Sequence, residues 1–488
     1  MQSDLYKYDT IYVNGAWVQP RSTEKIPVRS PATEEIVGYV PSCSPGDIDL
    51  AVQSARVAFD NSGWPDLSIG ERAKYLRSAA RILKRRQEDS SLIAADESGL
   101  PIGFRYGDGS TFTDQAIKLL NYYADLGEKY QVEEQRTGAD GGKIIVRKEP
   151  VGVVGVITPW NAPLVIAHFS IPPALLAGCT VVLKPAPESP LHANLIAQVF
   201  QEAGLPPGVF NVVPAEREAS EALVRHPGVD KIVFTGSTAT GRRIGALCGE
   251  SIKRFGLELG GKSAAVILDD ADLDQVMPFV TFTGLMNNGE ACVGQTRILA
   301  PRSRYSEVVE RLAAIAGEYR TGDPRDIATQ NGPLITEKQR AKGESYIHSG
   351  LEEGAKLVLG GKRPEHLGRG WYLEPTIFSD VSMGMRIAKE EIFCPVLCVI
   401  PYADDADAIS IANDSPYGLS GTVWTSDEAR GMKIARKIRT GNYGINYFNL
   451  DINAPFGGFK ESGIGRQLGP EGLEGFFELK AIHFPPQS

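Results

Sequence analysis

The run VGVVGVI at 151–157, followed by CTVVLK at 179–184, FNVV at 210–213 and DKIVF at 230–234, decides the fold. Each is short, rich in β-branched residues and without polar alternation, the pattern of a strand covered on both faces. Between them lie two helical patterns, Pro163 to Gly178 and Leu191 to Gly204. Buried strands that alternate with helices of this length predict a parallel sheet with crossover helices, an α/β nucleotide-binding type of architecture.

Working outward, Pro45 to Phe59 and Glu71 to Ser98 read as amphipathic helices, the second with Leu76, Ala79, Ala80 and Leu83 on one face. Gln131 to Thr137 and Lys143 to Pro150 flank Ala139-Asp140-Gly141-Gly142 and predict a β-hairpin. An isolated hairpin is marginal in water, so it needs something to lie against, and a neighbouring subunit is one candidate. From Ser263 to about Thr440 a second alternating region carries the strands AAVIL, TRILA, PVLCVIPY and GTVWT. Its helices are expected at Ser306 to Arg320, Thr336 to Glu353 and Asp427 to Ile438. Two α/β lobes place a cleft between Glu258 and the tail of the second lobe.

The 488 residues suffice for two to four domains, and 42% hydrophobic with 23% charged residues is ordinary for a globular enzyme. A net charge of −9 and the lack of any Lys/Arg run make nucleic acid a poor partner. The mixed-charge start MQSDLYKYDTIYVNGAWV does not read as a signal peptide, so the mature chain is expected to begin near Met1. The longest apolar stretch, Leu164 to Gly178, is interrupted by His168, Ser170, Pro172 and Pro173, short of the ~20 apolar residues of a membrane span. Six scattered cysteines form neither a disulfide framework nor a metal-ligand spacing, so no metal is expected and a reducing cytoplasm fits.

One of those cysteines, Cys292, sits in NNGEACVGQTRIL (287–299), downstream of Glu258 in LELGGKSA (257–264). A thiol can hold a carbonyl carbon covalently, and a carboxylate can activate the water that releases it. A lone Cys is as readily a small buried hydrophobe. Here the small and polar neighbours Asn287, Asn288, Gly289, Ala291 and Gly294 suit the approach of a ligand. After DKIVF, the segment Thr235 to Gly241 opens a helix at about Arg242 and offers Gly236 and Gly241 to a phosphate, with helix capping by Ser237 or Thr238 as the alternative. Glu258 stands about where a ribose-binding acid would stand, so spacing leaves it either that role or the catalytic one. Lys184 ends its strand, where parallel sheets meet their ligands, unless it is a snorkelling surface lysine.

Together ITPWNAPL (157–164), LKPAPESP (183–190), LELGGKSA, NNGEACVGQTR, EEIFCPV (390–396) and PFGGFKESGIGR (455–466) resemble the aldehyde dehydrogenase superfamily in order and spacing, over essentially the whole chain. The resemblance implies two Rossmann-like lobes: a cofactor domain of residues 1–127 and 149–258 and a catalytic domain of 259–467. Residues 128–148 and 468–488 would form an oligomerisation element of a homodimer or homotetramer. Cys292 matches the nucleophile, Glu258 the general base and Asn161 the side-chain half of the oxyanion hole. Ile157, Thr158, Pro159, Trp160, Lys184, Gly236, Ser237, Thr240, Leu259, Glu391 and Phe393 match contacts to NAD. Ala162, Ile166, Phe169 and Phe448, with Val165, Met286, Leu450 and Asp451, would line the substrate tunnel. The implied reaction is NAD-dependent oxidation of a medium or bulky hydrophobic aldehyde to its acid through a cysteine thiohemiacetal and thioester.

Four departures from the family pattern, one of them a pair of residues, stand out. Pro187 replaces an acid that favours NAD, with Glu188 one step late, so NADP stays open; Cys394 replaces a glycine. Ser170 and Gln467 replace a lysine and a glutamate, so both ends of a proposed proton exit are uncharged. Ala162 stands where several relatives carry an aromatic residue. Two other functions compete: an acylating dehydrogenase that delivers the thioester to coenzyme A, and a non-catalytic binding protein on the same fold.

Overall fold

The computed structural model describes residues 6–486. Its first large sheet runs Gly463–Ile464, Arg254–Glu258, Lys231–Thr235, Val153–Ile157, Thr180–Lys184, Phe210–Val212, Ile11–Val13 and Ala16–Val18. The five central strands are parallel, and an antiparallel strand closes each side. Every residue of Val153–Ile157 and Thr180–Lys184 is buried, as their unbroken apolar pattern requires. Register then fixes the functional edge. Ile157 lies opposite Lys184 and Phe234, and Thr235 opposite Glu258, so these strand ends open on one side of the sheet.

The helix Pro163–Ala177 is buried along its whole length. Pro163 suits its first turn, where an N–H would be unpaired anyway, and Gly178 ends it at φ 99°. The predicted helix Glu71 to Ser98 is instead two helices, Ile69–Arg85 and Gln87–Ser98, broken at Arg86. The first buries Leu76, Ala79, Ala80 and Leu83 on one stripe; the second buries its final turns from Ile93 to Ser98, and a straight rod cannot present both surfaces to the core.

The second sheet runs Lys356–Leu359, Thr376–Ser379, Val396–Tyr402, Arg297–Pro301, Ala264–Ile267, Gly421–Trp424 and Gly444–Ile445. All its pairings are parallel except that of the first strand. Helices Tyr305–Gly317, Glu337–Glu352 and Glu428–Ala435 fall inside their predicted ranges to within one residue. The hairpin Glu133–Thr137 and Lys143–Pro150 forms as predicted and takes Phe477–His483 as a third strand. That sheet leaves Leu479, Ile482 and Phe484 exposed.

Two features were not read from the sequence. Tyr6–Lys7, Lys25–Arg29 and Ile36–Pro41 form a small separate sheet. Gly463–Ile464, within the stretch assigned to the second lobe, pairs with Arg254–Glu258 in the first. Among the described residues no helix is long and apolar enough to cross a membrane.

Candidate active site

Glu258 ends its strand with Gly463 directly opposite, and the next residue, Leu259, donates its N–H to Ser462 O at 2.9 Å. A Cβ on Gly457 would stand 2.7 Å from Glu258 Oε1, so glycine is what lets the chain pass that close. The side chain is 4% exposed, and Oε2 has no hydrogen-bond partner. Burial raises its pKa well above the ordinary carboxylate value, with Arg466 pulling weakly the other way. A buried acid left unpaired is poised to take a proton or hold a water.

Cys292 is delivered by a turn that only certain residues can make. After helix Leu273–Leu285 the chain passes through three left-handed residues, Asn287, Asn288 and Gly289, at φ 53°, 58° and 75°. Asparagine tolerates this region, and Gly289 is required because a Cβ would meet the Cys394–Pro395 peptide within 2.4 Å. Asn288 ties the turn to both lobes, donating to Gly99 O and Pro333 O at 3.1 Å and accepting from Gly332 N–H at 2.6 Å. Asn287 donates to Asn161 O at 2.7 Å and Glu290 O at 3.0 Å. The double-asparagine-glycine run was the available sequence signal for this turn.

The Cys292 thiol is pushed up to about 12 by burial first, then by the carboxylates of Glu391 and Glu258. It rests as a thiol, and attack requires that its proton be taken. Asn161 spends one amide N–H on Glu290 O at 2.8 Å, which leaves the other for a ligand. Among the described residues no carbonyl takes the Cys292 N–H.

Cys292, Glu258 and Asn161 line one cavity of about 650 Å³. Ala162, Val165, Ile166, Phe169, Met286 and Leu450 line it as expected. Phe448 does not; it packs half-buried against the large core cluster. Asp451 is exposed and absent from the wall, its carboxylate turned back to accept the Asn453 N–H. Sequence reading missed Phe104, Tyr106 and Phe112, whose rings pack at centroid distances of 4.8 to 5.3 Å. They come from an irregular loop and the helix start after it, where no periodicity marks them. Gln467 also reaches the wall and donates to Ser170 Oγ at 2.9 Å, so the two uncharged replacements contact each other.

The strand ends beside this cavity fit a dinucleotide. Helix Thr238–Glu250 starts earlier than predicted, with Ser237 as its N-cap accepting from Thr240 N–H. Capping occupies the Thr240 N–H and, among the described residues, leaves those of Thr238 and Ala239 free for a phosphate. A Cβ on Gly236 or Gly241 would meet Phe234 or Leu259 at 2.5 Å. Lys184 is 6% exposed, forms no ion pair among the described residues, and is lowered to about 8 by burial. It is no snorkelling lysine. Thr158 N–H donates to Lys184 O, Glu391 accepts the Gly261 N–H at 2.9 Å, and Phe393 meets Trp160 edge-on at 5.3 Å. Free N–H groups and an unpaired ammonium are the donors that phosphates and ribose hydroxyls need. Cys394 is fully buried against Gly343 and Gln339, filling space.

The model of the aldehyde dehydrogenase family matches residues 17–482. The chain belongs to the aldehyde dehydrogenase family. It is 45% identical to geranial dehydrogenase of Castellaniella defragrans over 97% of its own length and 98% of that protein. Among solved structures it resembles a Mycobacterium tuberculosis aldehyde dehydrogenase complexed with NAD+ (TM-score 0.96, 49% identity, 99% of both chains). It also resembles a mutant of Pseudomonas syringae aldehyde dehydrogenase C complexed with NAD+ and octanal (TM-score 0.93, 38% identity, 98% of this chain and 96% of that one). As an aldehyde dehydrogenase the protein is an NAD-dependent oxidoreductase that turns an aldehyde into its acid.

Proposed function

We propose that Cys292 is the nucleophile, Glu258 the general base and Asn161, with the Cys292 N–H, the oxyanion donor in oxidation of a medium or bulky hydrophobic aldehyde. The observation that carries this reading is that an unpaired buried carboxylate and the thiol face one apolar cavity. As the Cys292 Sγ bonds to the carbonyl carbon, the thiol proton passes to Glu258 directly or through water. The carbonyl electron pair moves onto oxygen, where the free Asn161 N–H and the Cys292 N–H hold it. Bound NAD supplies the acceptor for the hydride that leaves this carbon. Glu258 gives up that first proton to solvent, then takes a proton from water as it adds to the thioester; the intermediate collapses, the Cys292 thiolate leaves and recovers a proton, and the acid is released.

Lys184, Gly236, Ser237 and Thr240 serve the adenosine and pyrophosphate in this proposal. Ile157, Thr158, Pro159, Trp160, Leu259, Glu391 and Phe393 serve the nicotinamide half. The cavity wall carries no Lys or Arg, which favours an apolar tail over the carboxylate of a semialdehyde. Octanal in the Pseudomonas syringae complex and the name geranial dehydrogenase agree with such a substrate. We assign the cofactor domain to 1–127 and 149–258, the catalytic domain to 259–467 and the oligomerisation element to 128–148 and 468–488. The apolar residues Leu479, Ile482 and Phe484 give that element its contact surface in a homo-oligomer. A cytoplasmic site of action fits six free cysteines.

A panel of aldehydes assayed with NAD and NADP in parallel tests the reading, with octanal expected to exceed succinic semialdehyde in kcat/KM. A higher value for succinic semialdehyde overturns the substrate assignment. Release of acyl-coenzyme A in place of the free acid when coenzyme A is added overturns the role of Glu258.

A further inference from the structure

A second, smaller cavity adjoins the one that holds Cys292, and the two share four wall residues: Phe104, Phe112, Ala162 and Val165. Three of these form a thin partition. The rings of Phe104 and Phe112 stack at 4.8 Å, and Ala162 brings only a methyl group to the other side. The far wall comes from helix Gln87–Ser98, from the loop Leu100 to Ile102 and from His192.

The polar groups of that far wall are already paired with one another. Thr113 Oγ1 donates to Ser90 Oγ at 2.9 Å, Ser91 Oγ donates to Gln87 O at 3.0 Å, and His192 Nδ1 lies 2.5 Å from Glu97 Oε1. Leu100, Pro101, Ile102 and Leu164 supply apolar surface, and the hydroxyls and His192 that also line the space have their bonds already made. A polar or charged guest would find no free partner there, whereas an alkyl chain loses nothing by entering. The loop that carries Phe104 is held by its own turns, by one bond from Ile102 N–H to Pro324 O and by stacking of Phe104 on Phe282 at 5.8 Å, so opening the partition means turning one ring and not unravelling a helix.

We propose that this second cavity is a tail pocket, reached between the Phe104–Phe112 pair and Ala162, which takes the distal methylenes of long-chain aldehydes bound at Cys292. The inference rests on the dehydrogenase reading above and adds a chain-length preference to it. Each methylene removed from water strengthens binding by about fourfold, so binding improves with every carbon that crosses the partition.

The test compares kcat/KM for hexanal, octanal and dodecanal in the wild type and in two variants that fill only the second cavity, Ile102→Trp on the loop and Ser91→Phe on the helix. Wild-type kcat/KM is expected to rise from hexanal to dodecanal, and each variant to lose about tenfold or more on dodecanal while keeping hexanal within about twofold. The hexanal rate reports folding in both variants. Loss spread equally over all chain lengths, or no loss on dodecanal, overturns the proposal. In the wild type, dodecanoate should compete with octanal more strongly than hexanoate does; equal inhibition also overturns it. Wild-type activity on hexanal with no gain toward dodecanal sinks the tail pocket alone, whereas failure on every aldehyde sinks the dehydrogenase reading with it.

Discussion

Two carboxylates in the first lobe are equally hidden and opposite in character. Glu97, in the helical layer, is wholly buried and accepts the Leu191 N–H at 2.6 Å and the His192 N–H at 3.3 Å at the start of a helix, with the His192 ring 2.5 Å away. Glu258, at the sheet edge, is 4% exposed and has an oxygen with no partner. Burial alone therefore does not separate structure from chemistry. Satisfaction does: the helical layer closes every bond around its acid, and the strand ends leave theirs open to a substrate.

Replacing the two acids breaks or sharpens this contrast. Glu258→Gln is expected to lower steady-state turnover by ~10²- to 10⁴-fold and to slow the first burst of reduced cofactor as well, because thiol attack and hydrolysis both use this carboxylate, read by stopped-flow absorbance. A burst of unchanged rate would remove Glu258 from thiol activation and leave it water activation alone. The pH dependence carries a sign. Because the raised pKa keeps Glu258 protonated on the acid side, turnover climbs as pH rises through that pKa, and the climb should vanish in Glu258→Gln.

Glu97→Ala should show the reverse signature. Breaking a buried, fully bonded pair costs about 3–5 kcal/mol of stability, measured by urea unfolding, with kcat per folded molecule nearly unchanged. Next in size, Asn161→Ala should lower kcat by ~10²-fold with little change in KM, since the lost donor acts on charge that develops only during reaction. An effect confined to KM would mean that Asn161 merely shapes the pocket.

The smallest effect belongs to Lys184. Its folded pKa of about 8 lies below the ordinary lysine value, so the fold carries the cost of a buried charge below pH 8 and sheds it as pH rises toward 10.5. Lys184→Met should therefore gain about 1–3 kcal/mol at pH 7, a gain that disappears above pH 10.5, while KM for NAD rises. Unchanged thermal stability at pH 7 would show the ammonium to be solvated.

How much of this could be read from the chain follows the same division. Strands buried on both faces announce themselves, so VGVVGVI and CTVVLK gave away the sheet, and its register then carried Ile157, Lys184 and Glu258 to one edge. Elements set by tertiary context did not. The break at Arg86 depends on which surfaces the core offers, and the two-residue strand Gly463–Ile464 has no pattern to read. Phe104, Tyr106 and Phe112 reach the cavity from a loop and the helix start after it, and Phe448, two residues before Leu450, stays off the wall that Leu450 lines. The unpaired oxygen of Glu258 is visible only when all its neighbours are placed.

The pairing of Gly463–Ile464 with Arg254–Glu258, and of Phe477–His483 with Lys143–Pro150, sets an order on birth at the ribosome. The first lobe is translated early, yet the edge beside Glu258 stays bare until more than two hundred further residues have emerged. A nascent chain stalled before residue 460 exposes that edge and the hairpin together. Such an intermediate should bind chaperones, and the finished enzyme should tolerate truncation at its tail poorly.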